Sequence, residues 1–166
     1  MGTPLTVADI AKMVDHSLLR PTLTDAEFDE GIALVKKYRC ATVMVAPYDV
    51  KKAVQALHNT GIMVSTVVDF PHGSNLTESK VFEAEKAMDN GAAHLDMVLA
   101  ISRLVSGHYD YVEEDIRAVV EAAHARGVPV KVIFETCYLT PEMIVAACKA
   151  SERAGADFVK TSTGYG

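Results

Sequence analysis

The chain has 166 residues, 49% apolar and 23% charged, which fits one globular domain spanning 1–166 with a sizeable core. Its formal net charge of −6 and the lack of any basic stripe argue against a nucleic-acid surface, while leaving room for a locally positive site that takes an anionic substrate. Cys40, Cys137 and Cys148 are odd in number and lack metal spacing, so they read as reduced thiols of a cytoplasmic protein; no charged-then-apolar leader or long apolar span points to secretion or to a membrane.

The elements follow a regular rhythm. Thr6 to Asp9 begins a short capped helix that leads into a first strand near Met13 to Leu19. Thr24-Asp25-Ala26-Glu27 is a capping box, after which Phe28, Ile32 and Val35 keep helical spacing. Ala41 to Ala46 is a buried strand stopped at Pro47, and a helix from about Asp49 to His58 ends before Gly61. Ile62 to Phe70 is the third strand. Thr77 is the expected cap of a helix reaching Asn90 and closed by Gly91. His94 to Leu99 is the fourth strand, Tyr109 to Arg126 a long helix, and Val128 to Phe134 the fifth strand. Thr140-Pro141 starts a further helix ending at Gly155, and Ala156 to Ser162 is the sixth strand.

Strict βα alternation with near-continuous apolar strands predicts a parallel sheet covered by helices. An open sheet and a barrel both fit that alternation. Asp15, Asp69, Asp96, Lys131, Glu135 and Lys160 lie in or at the ends of separate strands, and charged residues so placed have a good destination only where inward positions converge, as at the C-terminal rim of a TIM-type (β/α)8 barrel. About six of the eight βα units are present.

Lys160, in Asp157-Phe158-Val159-Lys160-Thr161, is the leading candidate for chemistry. A lysine at a strand end reads either as a side chain snorkelling to water or as a desolvated amine able to form a Schiff base with a carbonyl. The hydroxyl-rich run that follows it offers no carboxylate partner, which favours the amine. Asp96, between Leu95 and Met97, reads as a loop-capping carboxylate or as an acid/base group for carbonyl and imine oxygens. Lys131 reads as an ion-pair partner of Glu135 or Asp15, or as a neighbour of Lys160 that perturbs it by like charge. Asp15, beside His16 and Ser17, is a lesser candidate. His58, His108 and His124 fall on or beside helices and read as solvated. No paired-histidine zinc motif, Gly-rich dinucleotide loop, P-loop or serine elbow is present, so neither a metal nor a cofactor is expected.

Several segments resemble deoxyribose-phosphate aldolase, a class I aldolase family. They are Asp15-His16-Ser17-Leu18-Leu19-Arg20-Pro21, Phe82-Glu83-Ala84 with Asn90-Gly91-Ala92, Leu95-Asp96-Met97-Val98, Val112-Glu113-Glu114-Asp115-Ile116, Lys131 to Thr140, and Gly155 to Gly166. The resemblance implies a metal-free (β/α)8 barrel that reversibly cleaves 2-deoxy-D-ribose 5-phosphate to acetaldehyde and D-glyceraldehyde 3-phosphate. It implies Lys160 as the imine former, Asp96 as the proton shuttle, and Lys131 and Asp15 as members of the same polar network.

The chain departs from the family pattern in three places. The last two strands, with a second active-site lysine and the phosphate-binding loops, are not among these residues. Met44 and Ala46 stand where cysteine and asparagine are frequent. Asp69 stands where glycine is usual, and is expected to place a negative charge near the rim that disfavours a phosphorylated substrate unless it points away.

Three functions follow: an aldolase of which this is an N-terminal portion, a truncated non-catalytic barrel serving binding or assembly, or a Schiff-base aldolase for another aldehyde. The 166-residue chain alone is expected to self-associate through open barrel edges, or form a homo-oligomer, and to be nearly inactive.

Overall fold

A computed structural model describes residues 4–166. Helix α1 (Val7–Ala11) starts at Thr6, whose side chain accepts from the Asp9 amide while Asp9 reaches back to the Thr6 amide. Strand β1 (Asp15–Leu18) leads to α2 (Asp25–Tyr38), which opens on the expected capping box of Thr24 and Glu27. Then come β2 (Thr42–Val45), α3 (Val50–Ala56), β3 (Met63–Val68), α4 (Thr77–Asp89) and β4 (His94–Val98). A short helix α5 (Ile101–Val105) precedes α6 (Tyr109–His124), β5 (Val130–Ile133), α7 (Pro141–Ala154) and β6 (Phe158–Lys160).

The element order matches the sequence reading, with three corrections. Thr77 is the first residue of α4 and not its cap, because its hydroxyl donates to Asp115 Oδ1 at 2.8 Å and leaves the helix start, at Leu76, without a side-chain acceptor. Helix α5 was not expected, having no side-chain cap to announce it. Strand β6 is shorter than Ala156 to Ser162; Asp157, ahead of it, turns its carboxylate to the Val130 amide at 2.8 Å and to His124 at 2.9 Å.

The six strands form one parallel sheet in sequence order, β1 to β6. The sheet is strongly curled. Four strand spacings of about 4.8 Å would separate β1 from β5 by roughly 19 Å if the sheet were flat. Instead, Lys131 of β5 reaches Asp15 of β1 at 2.6 Å, and beyond β6 the Tyr165 hydroxyl donates to Leu19 O at 2.9 Å. The result is a partial barrel with β1 and β6 as its open edges.

Strand alternation divides the side chains between two environments. Val43, Val45, Val64, Leu95, Met97, Val130 and Val132 face the helices and join Ile32, Val35, Ala84, Ile116, Val119 and Ala147 in one continuous buried cluster. Met44, Val67, Val98 and Ile133 are buried but lie outside that cluster, on the concave face. Asp15, Thr42, Asp96, Lys131 and Lys160 share the parity of those inward positions. The apolar face therefore fixes the register, and the register brings the charges together.

Candidate active site

Asp96 and Lys131 are direct register partners on β4 and β5, and Lys160 lies opposite Ile133, one inward position further along. Lys131 Nζ donates to Asp96 Oδ1 at 3.1 Å and Oδ2 at 3.4 Å, and Lys160 Nζ donates to Asp96 Oδ2 at 3.0 Å. The two amines thus converge on one fully buried carboxylate. On the far side Lys131 donates to Asp15 Oδ2 at 2.6 Å, and Asp15 Oδ1 accepts from the Thr42 hydroxyl at 2.8 Å. Ser65 extends the chain, donating to Thr42 Oγ1 at 3.1 Å. All four residues singled out from the sequence meet in this network, which pairs two carboxylates with two ammonium groups and so carries no net charge.

The network amends two expectations. Lys160 does have an acidic partner, and its side chain is 34% exposed, so it is neither partnerless nor dry. Lys131 pairs with Asp15 and Asp96, not with Glu135; Glu135, left-handed at φ 56°, instead accepts from the amide and hydroxyl of Thr163. That contact ties the end of β5 to the loop after Lys160.

Burial works against the charge on Asp96, yet the His94 imidazole and the ammonium groups of Lys131 and Lys160 outweigh it and hold the carboxyl below the ordinary aspartate value. Burial likewise opposes ionisation of Asp15, and its hydrogen bonds from Lys131 and Thr42 prevail. Burial disfavours the Lys131 ammonium, but the hydrogen bond to Asp15 and the charge of Asp96 raise its pKa overall.

The signs define a pH window. The carboxylates contribute stability fully above the unfolded value of 3.8 and lose it as pH falls through their folded values. Lys131 contributes fully below 10.5 and loses its share as pH rises through its folded value. Urea titrations should therefore show Asp15→Asn losing less stability than wild type when pH is lowered from 5 to about 2.5; equal losses would remove Asp15 from the network's acid response.

Asp69 turns away from the site. It follows β3 with φ 52°, a left-handed backbone that explains why glycine suits the position, and its carboxylate accepts from the Asn75 amide at 2.9 Å. It also lies 3.3 Å from Lys80 Nζ. Its charge is thus spent under the mouth loop and points away from the concave side, the alternative under which the rim is not repulsive. Lys80 itself is fully buried, with Asp115 Oδ2 at 2.6 Å and Val98 O at 3.2 Å. Sequence reasoning missed this cluster and also missed His94, whose Nδ1 lies 3.7 Å from Asp96 Oδ1.

At the C-terminal mouth, Leu19, Ala46, Pro47, Tyr48, Val67, Phe70 and Tyr165 line an apolar cavity of about 280 Å³. The Phe70 and Tyr165 rings meet edge to face there, with centroids 5.7 Å apart. Among the described residues no three His, Cys, Asp or Glu are grouped so as to hold a metal ion, and no helix is long and apolar enough to cross a membrane.

Known proteins resemble this chain over most of its length. A deoxyribose-phosphate aldolase of Rhodopirellula baltica is 47% identical over 158 residues, covering 95% of this chain and 66% of that protein. A solved structure from Coccidioides immitis superposes with a TM-score of 0.93 at 43% identity, covering 100% of this chain and 64% of that one. The tetrameric deoxyribose phosphate aldolase of Aeropyrum pernix superposes with a TM-score of 0.88 at 29% identity, over 96% of this chain and 67% of that one. The chain therefore spans about two thirds of the length of these relatives. The family model described as DeoC/LacD family aldolase matches residues 10–166, and the chain belongs to that family.

Proposed function

We propose that the chain is part of a deoxyribose-phosphate aldolase that cleaves 2-deoxy-D-ribose 5-phosphate to acetaldehyde and D-glyceraldehyde 3-phosphate through an imine on Lys160. The observation that carries this reading is the convergence of Lys160 and Lys131 on the buried carboxylate of Asp96. Imine chemistry needs an amine that can lose a proton, an acceptor for that proton within reach, and a cation that keeps the acceptor in place. Asp96 is within reach, its Oδ2 3.0 Å from Lys160 Nζ, and Lys131 holds it through both oxygens.

In the proposed sequence Lys160 gives a proton to Asp96 and its free amine attacks the substrate aldehyde. Asp96 returns the proton to the carbinolamine hydroxyl, which leaves as water. The resulting iminium accepts the electron pair of the C2–C3 bond as the C3 hydroxyl gives up its proton to a base, and C3 becomes the carbonyl of the released triose phosphate. The enamine left on Lys160 takes a proton at C2, and water hydrolyses the iminium to acetaldehyde. Lys131, anchored by Asp15, keeps Asp96 oriented throughout.

The same reading takes residues 1–166 as a single domain, places the protein in the cytoplasm, and assigns it a homo-oligomeric state. The last is supported by the tetrameric relative from Aeropyrum pernix, and in the 166-residue polypeptide taken alone the β6 edge, with Phe158 and Val159 half exposed, is open to pairing. Light scattering on the 166-residue polypeptide should give a mass above that of one chain; a stable monomer at micromolar concentration would count against edge association.

Borohydride reduction in the presence of acetaldehyde tests the chemistry. The adduct is expected on the peptide carrying Lys160, and Lys160→Ala should give none. An adduct on Lys131 in its place overturns the assignment.

A further inference from the structure

His94 begins β4 on the concave face, one inward position before Asp96. Its ring is buried and lies against Phe158 of β6, with centroids 5.7 Å apart and planes tilted by 34°. Its neighbour in register on β3 is Ser65, whose single hydroxyl hydrogen has two acceptors of its own, Thr42 Oγ1 and Val43 O, each at 3.1 Å. Nδ1 is enclosed and has no hydrogen-bond partner, while Asp96 Oδ1 stands 3.7 Å away. A buried ring nitrogen left so is uncommon in a native protein and calls for a physical account.

The account comes from what the chemistry does to Asp96, and it rests on the imine reading above. In the resting site the carboxylate takes its hydrogen bonds from the ammonium groups of Lys131 and Lys160. An alkylammonium brings three N–H donors, whereas an iminium nitrogen keeps one. Lys131 is also shared with Asp15, at the shorter distance of 2.6 Å. A fully buried carboxylate that loses one of its two cationic donors needs a replacement.

We propose that His94 is a positioning residue acting through Asp96: with the proton on Nδ1, it closes on Oδ1 and keeps the carboxylate oriented and ionised while Lys160 is committed to substrate. The opposite tautomer would aim a nitrogen lone pair at the carboxylate oxygen, which is repulsive. The charged groups facing this pair are Asp15 from β1, Lys131 from β5 and Lys160 from β6; Thr42, Ser65 and Phe158 are neutral. Asp96 is held low partly by this imidazole, so its removal moves Asp96 toward easier protonation.

Two NMR measurements on the protein without substrate test the assignment. In 15N-histidine-labelled wild type the proton is expected on Nδ1 of His94. In 13C-aspartate-labelled protein the Asp96 carboxyl should titrate at higher pH in His94→Leu than in wild type. His94→Asn, which places an amide N–H near the Nδ1 position, should restore the wild-type midpoint. A proton found on Nε2, or an Asp96 midpoint unmoved by His94→Leu, overturns the proposal. Should His94→Leu not fold, the wild-type tautomer still decides. Acetaldehyde trapping on Lys160 is a separate readout: trapping with an unmoved Asp96 midpoint refutes His94 alone, and a moved midpoint without trapping refutes the aldolase reading while leaving the His94–Asp96 contact intact.

Discussion

Asp96→Asn is expected to lower retro-aldol turnover by about 10²–10⁴-fold, the usual contribution of a positioned proton-transfer group. The amide keeps the side-chain volume and still accepts through its oxygen, but it cannot take the proton that Lys160 must lose. Folding should suffer less. Removing one partner of a buried ion pair costs about 3–5 kcal/mol when the other charge is stranded. Here neither amine is stranded, because Lys131 keeps Asp15 at 2.6 Å and Lys160, at 34% side-chain exposure, can turn to water. The loss of stability should therefore fall below that range. Steady-state assays beside urea melts of the same preparation separate the two effects. An Asp96→Asn protein that cleaves normally but melts far lower would show that the carboxylate is structural and would remove the proton shuttle from the mechanism.

The parts of this molecule that sequence makes legible are those where one physical requirement acts locally. Thr24 and Glu27 sit three residues apart because a helix start leaves amides to be satisfied, and the structure has both bonds of that box. Gly155 ends α7 in the left-handed region, as its place after Ala154 suggests. Asp15, Asp96, Lys131 and Lys160 could be singled out because each interrupts or ends an apolar strand, and strand parity sends them to one face. Partners across the fold were harder to read. Whether Lys131 takes Glu135 or Asp15 depends on how far the sheet curls, which no local pattern states. His94 was passed over because histidine at the start of a strand is unremarked by alternation; only the closure around Nδ1 makes it notable. Lys80 and Asp115 did carry a signal. Lys80 falls on the stripe with Ala84, Ala87 and Met88, and Asp115 on the stripe with Val112, Ile116 and Val119, so each charge sits on the buried face of its helix. A charge on each of two core stripes points to a pair, even 35 residues apart.

That pair supplies the largest stability effect expected in the chain. Lys80 and Asp115 are both fully buried, with Nζ 2.6 Å from Oδ2, and Thr77 completes Asp115 from its other oxygen at 2.8 Å. Asp115→Leu leaves an ammonium in the interior with Val98 O and the more distant Asp69 Oδ2, at 3.3 Å, as its remaining partners. The expected loss is about 3–5 kcal/mol. The double variant Lys80→Met with Asp115→Leu should lose less than Asp115→Leu alone, since no ammonium is left buried, although the buried Asp69 carboxylate then keeps the Asn75 amide but no cation. The double variant will still not be equivalent to wild type. Lys80 links Val98, at the end of the strand that carries Asp96, to Asp69, whose left-handed turn launches the loop with Phe70 at the mouth. Glu83 adds a second hold on that turn, accepting from the Asp69 amide at 2.8 Å, and burial raises its pKa. Without Lys80 the loop keeps the Glu83 contact but loses its tie to β4, so KM should rise more than kcat falls. Denaturant melts of both single variants and the double give the coupling energy directly. If Asp115→Leu alone lies within about 1 kcal/mol of wild type, Lys80 has found another outlet, and the tie between the mouth loop and the strand of Asp96 is not the one described.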